Sequence, residues 1–127
     1  KVNLDELRKL SSKEDAKEAL KTALSLFGVP SVAATDGPRG AWMADKTGFW
    51  RFEIPALENV KNPLGAGDTC SAVTLSEIVC GESFPDAFAN GLAAASASCL
   101  DLRCAVFSKE EALKIRAGMH VIFSSWV

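Results

Sequence analysis

The residues best placed to do chemistry lie mid-chain, in Asn62-Pro63-Leu64-Gly65-Ala66-Gly67-Asp68-Thr69-Cys70-Ser71. Gly65 and Gly67 flank a single alanine, so no large side chain stands between solvent and three successive backbone N–H groups. The run that follows, 72–80, is apolar at helical spacing, which makes those groups the opening of a helix. A helix start offers unpaired donors and a partial positive charge, and it suits an anion, phosphate above all. Asp68 sets a carboxylate immediately inside, beside whatever anion binds there. The same pattern also reads as a plain helix start, with Asp68 as N-cap or first-turn acid contributing about 1 kcal/mol. The local pattern does not choose between the two. It does exclude two better-known phosphate loops: no Gly-Lys-Ser/Thr follows, and the third glycine of a dinucleotide fingerprint is missing.

Other groupings could contribute. Asn3-Leu4-Asp5-Glu6 reads as a capping box, with Asn3 the N-cap of a helix whose apolar stripe is Leu4, Leu7 and Leu10. Thr35-Asp36-Gly37-Pro38-Arg39-Gly40 is a glycine- and proline-rich turn after a short strand, which a hairpin alone would explain. Asn90 stands in a run dominated by small residues, 87–100, that either packs closely on a neighbour or leaves room for a flat ligand.

Periodicity supplies the framework that must hold these residues. Ala16, Ala19, Leu20, Ala23, Leu24 and Phe27 repeat at three and four, and Gly28 and Pro30 stop that helix. Residues 30–35 predict a short strand, buried and parallel. Residues 41–44 and 48–52 predict an antiparallel pair around Asp45-Lys46-Thr47, with Trp42 and Trp50 engaged in cross-strand packing. Pro55 ends the second strand, and a strand-like stretch through Leu57 and Val60 leads to the central motif. Beyond the motif helix, Gly81 is the expected C-cap and Ser83-Phe84-Pro85-Asp86 opens the small-residue helix. Ser108 caps a last helix ending near Gly118, and 121–123 is a terminal strand or an appended tail.

At 127 residues, 48% hydrophobic and 24% charged, the chain has the size and composition of one soluble domain. A net charge of −2 argues against nucleic acid and against a polybasic membrane anchor. Cys70, Cys80, Cys99 and Cys104 lack paired ligand spacing, and His120, the single histidine, is distant in sequence from all of them. This points away from zinc and toward small thiols in a reducing compartment. No apolar run is long enough to span a bilayer and no secretory signal opens the chain, so a cytoplasmic location is expected. The first residue is Lys1 rather than methionine, from which further residues upstream are expected.

Gly65-Ala66-Gly67-Asp68 resembles the signature of the ribokinase-like (PfkB) family of sugar and nucleoside kinases. In that family the glycine-rich amides stabilise the transferred phosphoryl group and the aspartate deprotonates the acceptor hydroxyl, a division of labour suited to phosphoryl transfer. Asn3 and Glu6 match the family's Asn-x-x-Glu element, which organises magnesium and water around the ATP phosphates. Thr35, Asp36, Gly37, Pro38, Arg39 and Gly40 resemble its Thr-Leu-Gly-x-x-Gly nucleotide loop, with Asp36 in place of the usual apolar residue. The small-residue helix has a counterpart beside the adenine pocket, and Asn90 falls where a polar nucleotide contact is found. Asn62-Pro63 replaces the Asp-Thr that often opens the signature, similar to the branches acting on phosphorylated hexoses. The lost carboxylate weakens a monovalent-cation (K⁺) site at Asn62, and Asp101-Leu102-Arg103-Cys104 lacks the glycine turn of many relatives.

The resemblance covers essentially the whole chain and implies an α/β fold, the C-terminal part of a three-layer α/β/α ribokinase-like domain without its N-terminal half and lid. It implies ATP and Mg²⁺ as ligands, a sugar as acceptor, Asp68 as base, and the amides of Gly65, Ala66 and Gly67 as the anion hole. An uncovered sheet edge or face is expected, to be met by the missing half or by a homo-oligomer. Two other classes stand beside this reading: a non-catalytic nucleotide-binding module, and a structural α/β interaction fragment.

Overall fold

Strands form where successive side chains alternate between two faces, and helices where apolar residues recur at three- and four-residue spacing. The computed structural model describes residues 1–126. In chain order the elements are β1 (Val2–Asn3), α1 (Leu4–Ser11), α2 (Ala16–Phe27), β2 (Ser31–Thr35), a short 3₁₀ turn (Gly37–Arg39), β3 (Ala41–Asp45), β4 (Gly48–Glu53), α3 (Ala66–Val79), α4 (Phe84–Ser98), α5 (Lys109–Gly118) and β5 (His120–Ser125). The chain divides into two units, Lys1–Glu53 with His120–Val127, and Ile54–Met119.

The first unit is a mixed five-stranded sheet in the order β1-β2-β3-β4-β5. Only β1 and β2 run parallel; every other neighbouring pair is antiparallel. The expectation of a parallel β2 therefore holds on one side and fails on the other, because the tight turn at 36–40 sends β3 straight back along it. Val32, Ala34, Trp42, Ala44 and Phe49 share one face and pack with Leu4, Leu7, Ala19, Leu20 and Ala23 of α1 and α2. Each fully buried leucine there contributes about 1.5–3 kcal/mol. Ala33, Ala41, Met43 and Phe52 are buried on the opposite face.

Register refines the expected cross-strand packing of the tryptophans. Trp42 lies opposite Arg51 and Trp50 opposite Met43, so the two indoles point to opposite faces and do not meet. Trp50 instead packs across strands on Phe123, with ring centroids 4.7 Å apart. The terminal stretch is thus a strand, and all six residues of β5 are exposed along the edge of the sheet.

The second unit is helical, entered through an irregular stretch after β4 where a strand-like segment was expected. Ser83 and Ser108 cap α4 and α5, each accepting from a backbone amide three residues on. The C-cap of α3 is Cys80, and Gly81 follows it in a left-handed conformation. Eleven of the fifteen residues of α4 are buried. A methyl group at Gly91 would meet the Thr74 hydroxyl and lie 2.7 Å from the Cys70 carbonyl, so α3 and α4 approach almost backbone to backbone. Close packing is the outcome for the small residues.

Candidate functional site

In the sheet unit the register brings two of the predicted groupings to one place. Asn3 and Thr35 are partners in the parallel pair, so helix α1 and the 36–40 turn both leave from the carboxyl ends of adjacent parallel strands. In open α/β sheets that is where ligands collect. Asn3 Oδ1 accepts from the Glu6 amide at 2.8 Å and Glu6 Oε2 accepts from the Asn3 amide at 3.1 Å, which completes the capping box. Each side chain spends one oxygen on the helix start, and the second Glu6 oxygen remains available in an exposed position. Among the described residues no three His, Cys, Asp or Glu side chains cluster to hold a metal directly.

The turn at 36–40 is closed by the Asp36 amide donating to the Gly40 carbonyl at 3.0 Å and by a two-point pairing of Asp36 with Arg39, at 2.6 and 2.8 Å. Arg39's hydrogen bonds hold the Asp36 carboxyl below its ordinary range, against a smaller upward push from burial. Asp36 thus adds little net negative charge to the loop, because its charge is answered inside the same turn.

The helical unit carries the central motif. Gly65 stands before α3 at φ +81°, where a Cβ would come within 2.6 Å of Cys104 Sγ and 3.3 Å of the Ala105 amide nitrogen. Only glycine meets both demands. The Gly65 carbonyl accepts from the Thr69 amide and the Thr69 hydroxyl, each at 2.9 Å, and fixes the first turn. The Ala66 amide donates to the Pro63 carbonyl at 3.2 Å. Among the described residues the amides of Gly65, Gly67 and Asp68 make no hydrogen bond. Asp68 is a first-turn acid rather than the N-cap; it is exposed and makes no hydrogen bond or ion pair among the described residues.

Asn62 ties this loop to the end of α4. Its Nδ2 donates to the Leu102 carbonyl at 3.0 Å and its Oδ1 accepts from the Leu64 amide at 3.0 Å, while its own amide donates to the Cys99 carbonyl at 3.1 Å. The amide side chain serves the loop on both ends, and a cation there would have only the second lone pair of Oδ1. Asn90 is likewise committed: Nδ2 donates to Glu77 at 3.0 Å, and Oδ1 accepts from Arg116 at 3.2 Å. Glu77 and Arg116 had no sequence signal, being 13 and 26 residues away. With Val73, Phe107 and Leu113 they line a cleft of about 430 Å³.

Asn3, Glu6 and 35–40 belong to the sheet unit, and Asn62, 65–68 and Asn90 to the helical one. A family model described as pfkB family carbohydrate kinase matches residues 1–111. The chain belongs to this family. Its fold is shared by a Staphylococcus aureus protein provisionally assigned as a phosphofructokinase, at 24% identity, TM-score 0.83, covering 97% of this chain and 40% of that one. Phosphofructokinase-2 from Escherichia coli, solved in complex with potassium, matches at 24% identity and TM-score 0.80, over 91% of this chain and 39% of its own. Ribokinase from Thermotoga maritima matches at 23% identity and TM-score 0.77, over 89% and 40%. At these identities the likeness is one of fold, a mixed α/β fold of the ribokinase-like kind. The chain spans about 40% of the length of the solved chains it matches.

Proposed function

We propose that this chain supplies the phosphoryl-transfer part of a carbohydrate kinase, acting on the γ-phosphoryl of ATP and a sugar hydroxymethyl group. Asp68 takes the hydroxyl proton as the sugar oxygen attacks phosphorus in line with the departing ADP. The N–H groups of Gly65, Ala66 and Gly67 face the developing negative charge. Of these the Gly65 and Gly67 amides do more, since Ala66 already donates to Pro63. Residues 35–40 are assigned to the nucleotide, and Asn90, as a polar contact to its base, would first have to give up a bond to Glu77 or Arg116. Magnesium, held through water by Asn3 and Glu6, supplies charge neutralisation at the phosphates. A monovalent cation at Asn62 is the weakest member of the set, for the reason of its committed amide.

The observation that carries the reading is the state of Asp68. Asp68 is an exposed first-turn acid that makes no hydrogen bond or ion pair among the described residues, so its carboxylate is left to a ligand, and the Gly65 and Gly67 amides before it make no hydrogen bond there either. We place the acceptor-gripping residues outside 1–127 and take a phosphorylated hexose as the acceptor. That choice is supported by the Asn62-Pro63 variant and by the phosphofructokinases among the similar folds.

The test is Asp68→Asn in a full-length protein containing this chain. Turnover should fall about 10²–10⁴-fold with Mg-ATP affinity preserved, since a base acts in the transition state and adds little to ground-state nucleotide binding. Turnover within a few fold of wild type would remove Asp68 from the role. Unchanged Mg-ATP binding with no turnover in either protein would favour a non-catalytic nucleotide-binding module.

A further inference from the structure

The opposite end of the sheet unit holds a cleft that phosphoryl transfer does not use. It measures about 580 Å³ and lies between the C-terminal half of α2, the start of β2, the β3–β4 turn and Trp126. Its apolar wall is Leu24, Val29, Pro30 and the Trp126 indole. Trp126 is fixed in place: its Nε1 donates to the Asp45 carbonyl at 2.7 Å, and its ring lies 6.5 Å from that of Phe49. A contact surface already held in one rotamer imposes no ordering cost on a ligand that meets it.

Two lysines line the cleft, and a third stands beside Trp126. Lys17 and Lys21, one turn apart on α2, hold Nζ 5.8 and 5.4 Å from the Trp126 ring centroid, and Lys46 reaches the cleft from the hairpin turn. Among the described residues none of the three has a carboxylate within 4 Å. Asp45 also lines the cleft, but one of its carboxylate oxygens is turned to its own hairpin, accepting from the Thr47 amide and hydroxyl at 2.6 Å each and from the Gly48 amide at 3.2 Å. Cation–π contact with Trp126 explains the placement of Lys17 and Lys21. It does not explain Lys46, which makes no ring contact among the described residues and still converges on the same cleft. In a chain of net charge −2, an apolar trough lined by Lys21 and Lys46, neither with a carboxylate within 4 Å among the described residues, suits an anion attached to a hydrophobic body.

We propose that this cleft binds a planar aromatic anion, a flat ring bearing a carboxylate or a phosphate. The ring lies against Trp126, Leu24 and Pro30, and the anionic group meets Lys21 and Lys46. The site is independent of the kinase reading, since none of its residues belongs to the groupings assigned to ATP.

Titration of residues 1–127 with 2-naphthoate and 2-naphthyl phosphate, followed by the tryptophan indole N–H resonances in NMR, tests this. Trp126→Phe identifies the Trp126 signal by its loss. Neutral 2-naphthamide and inorganic phosphate serve as the ring-only and anion-only probes. At least one aryl anion should shift the Trp126 resonance saturably and bind about tenfold or more tighter than either control; which one does identifies the anionic group. Lys21→Ala and Lys46→Ala change exposed side chains and leave the fold intact, and each should weaken binding about five- to tenfold, as loss of a charge-assisted contact does. Equal binding of 2-naphthamide, equal binding of inorganic phosphate, aryl-anion shifts that spare Trp126, or unchanged affinity in both lysine variants would overturn the proposal.

Discussion

Gly65→Ala puts the geometry of the central loop to a quantitative test. At φ +81° a side chain costs about 1–2 kcal/mol whatever its surroundings. The added methyl would also stand 2.6 Å from Cys104 Sγ and 3.3 Å from the Ala105 nitrogen. The exposed Cys104 thiol has to leave its place and the Ala105 backbone cannot move, so crowding adds about 1 kcal/mol, the low end for overpacking, most of it from Cys104. The expected total is about 2–3 kcal/mol. Gly81→Ala is the matched control: φ is +98° with nothing within 4 Å of the new methyl, leaving the backbone contribution of about 1–2 kcal/mol alone. Cys104→Ala made with Gly65→Ala should recover about 0.5–1 kcal/mol that Cys104→Ala alone does not provide. Urea unfolding of the four variants and wild type reads all these quantities. If Gly65→Ala cost no more than Gly81→Ala, or if the cycle showed no coupling to Cys104, the packing of the loop against 104–105 would be refuted.

Further outcomes are expected. Gly67 is exposed at ordinary backbone angles, so Gly67→Val should leave the unfolding free energy within about 0.5 kcal/mol of wild type while weakening Mg-ATP by about tenfold or more through its bulk beside the Gly65 and Gly67 amides; unchanged affinity in calorimetry would separate Gly67 from the nucleotide. Gly91→Ala should cost about 3 kcal/mol or more, because the methyl meets the Cys70 carbonyl as well as a movable hydroxyl; a loss under about 1 kcal/mol would contradict the close α3–α4 approach. Arg103's hydrogen bonds hold the Asp101 carboxyl down to about 2 from its ordinary 3.8. A depressed carboxylate stabilises fully above its ordinary value and loses that effect as pH falls through the folded one. The stability gap between wild type and Asp101→Asn should therefore be flat above about pH 5 and close between about pH 4 and pH 2 in urea titrations. A gap that widened on acidification would reverse the assignment.

What could be read from the sequence was mostly local. Asn3 and Glu6 declare their capping box because both bonds span three residues, and Ser83 and Ser108 announce α4 and α5 in the same way. The hairpin at 45–47 follows from alternation around a polar turn. Features set by distant partners stayed hidden. The direction of β2 depends on which strands flank it, and the separation of Trp42 from Trp50 depends on a register that no periodicity fixes. Asn62 reads in sequence only as a weakened cation position, and its tie to Leu102, forty residues on, is not legible there. The motif at 65–68 could be placed at a helix start from its glycines alone, but the engagement of the Ala66 amide by Pro63 needed the turn itself.

The make-up of α4 bears on how the helical unit responds to temperature. Apart from Phe88 and Leu92, its eleven buried residues are Ala, Gly or Ser, so melting this helix hydrates little hydrocarbon per residue. The heat capacity of unfolding grows with newly exposed apolar area, about 0.45 cal/K/mol for each Å². A segment that packs by backbone approach adds little to it, and its cohesion comes more from dispersion across short distances than from water release. The leucines under the sheet draw on water release instead, and that contribution weakens on cooling. The α3–α4 pair should thus have the flatter stability curve, holding its contacts in the cold as the α1–α2 layer loosens.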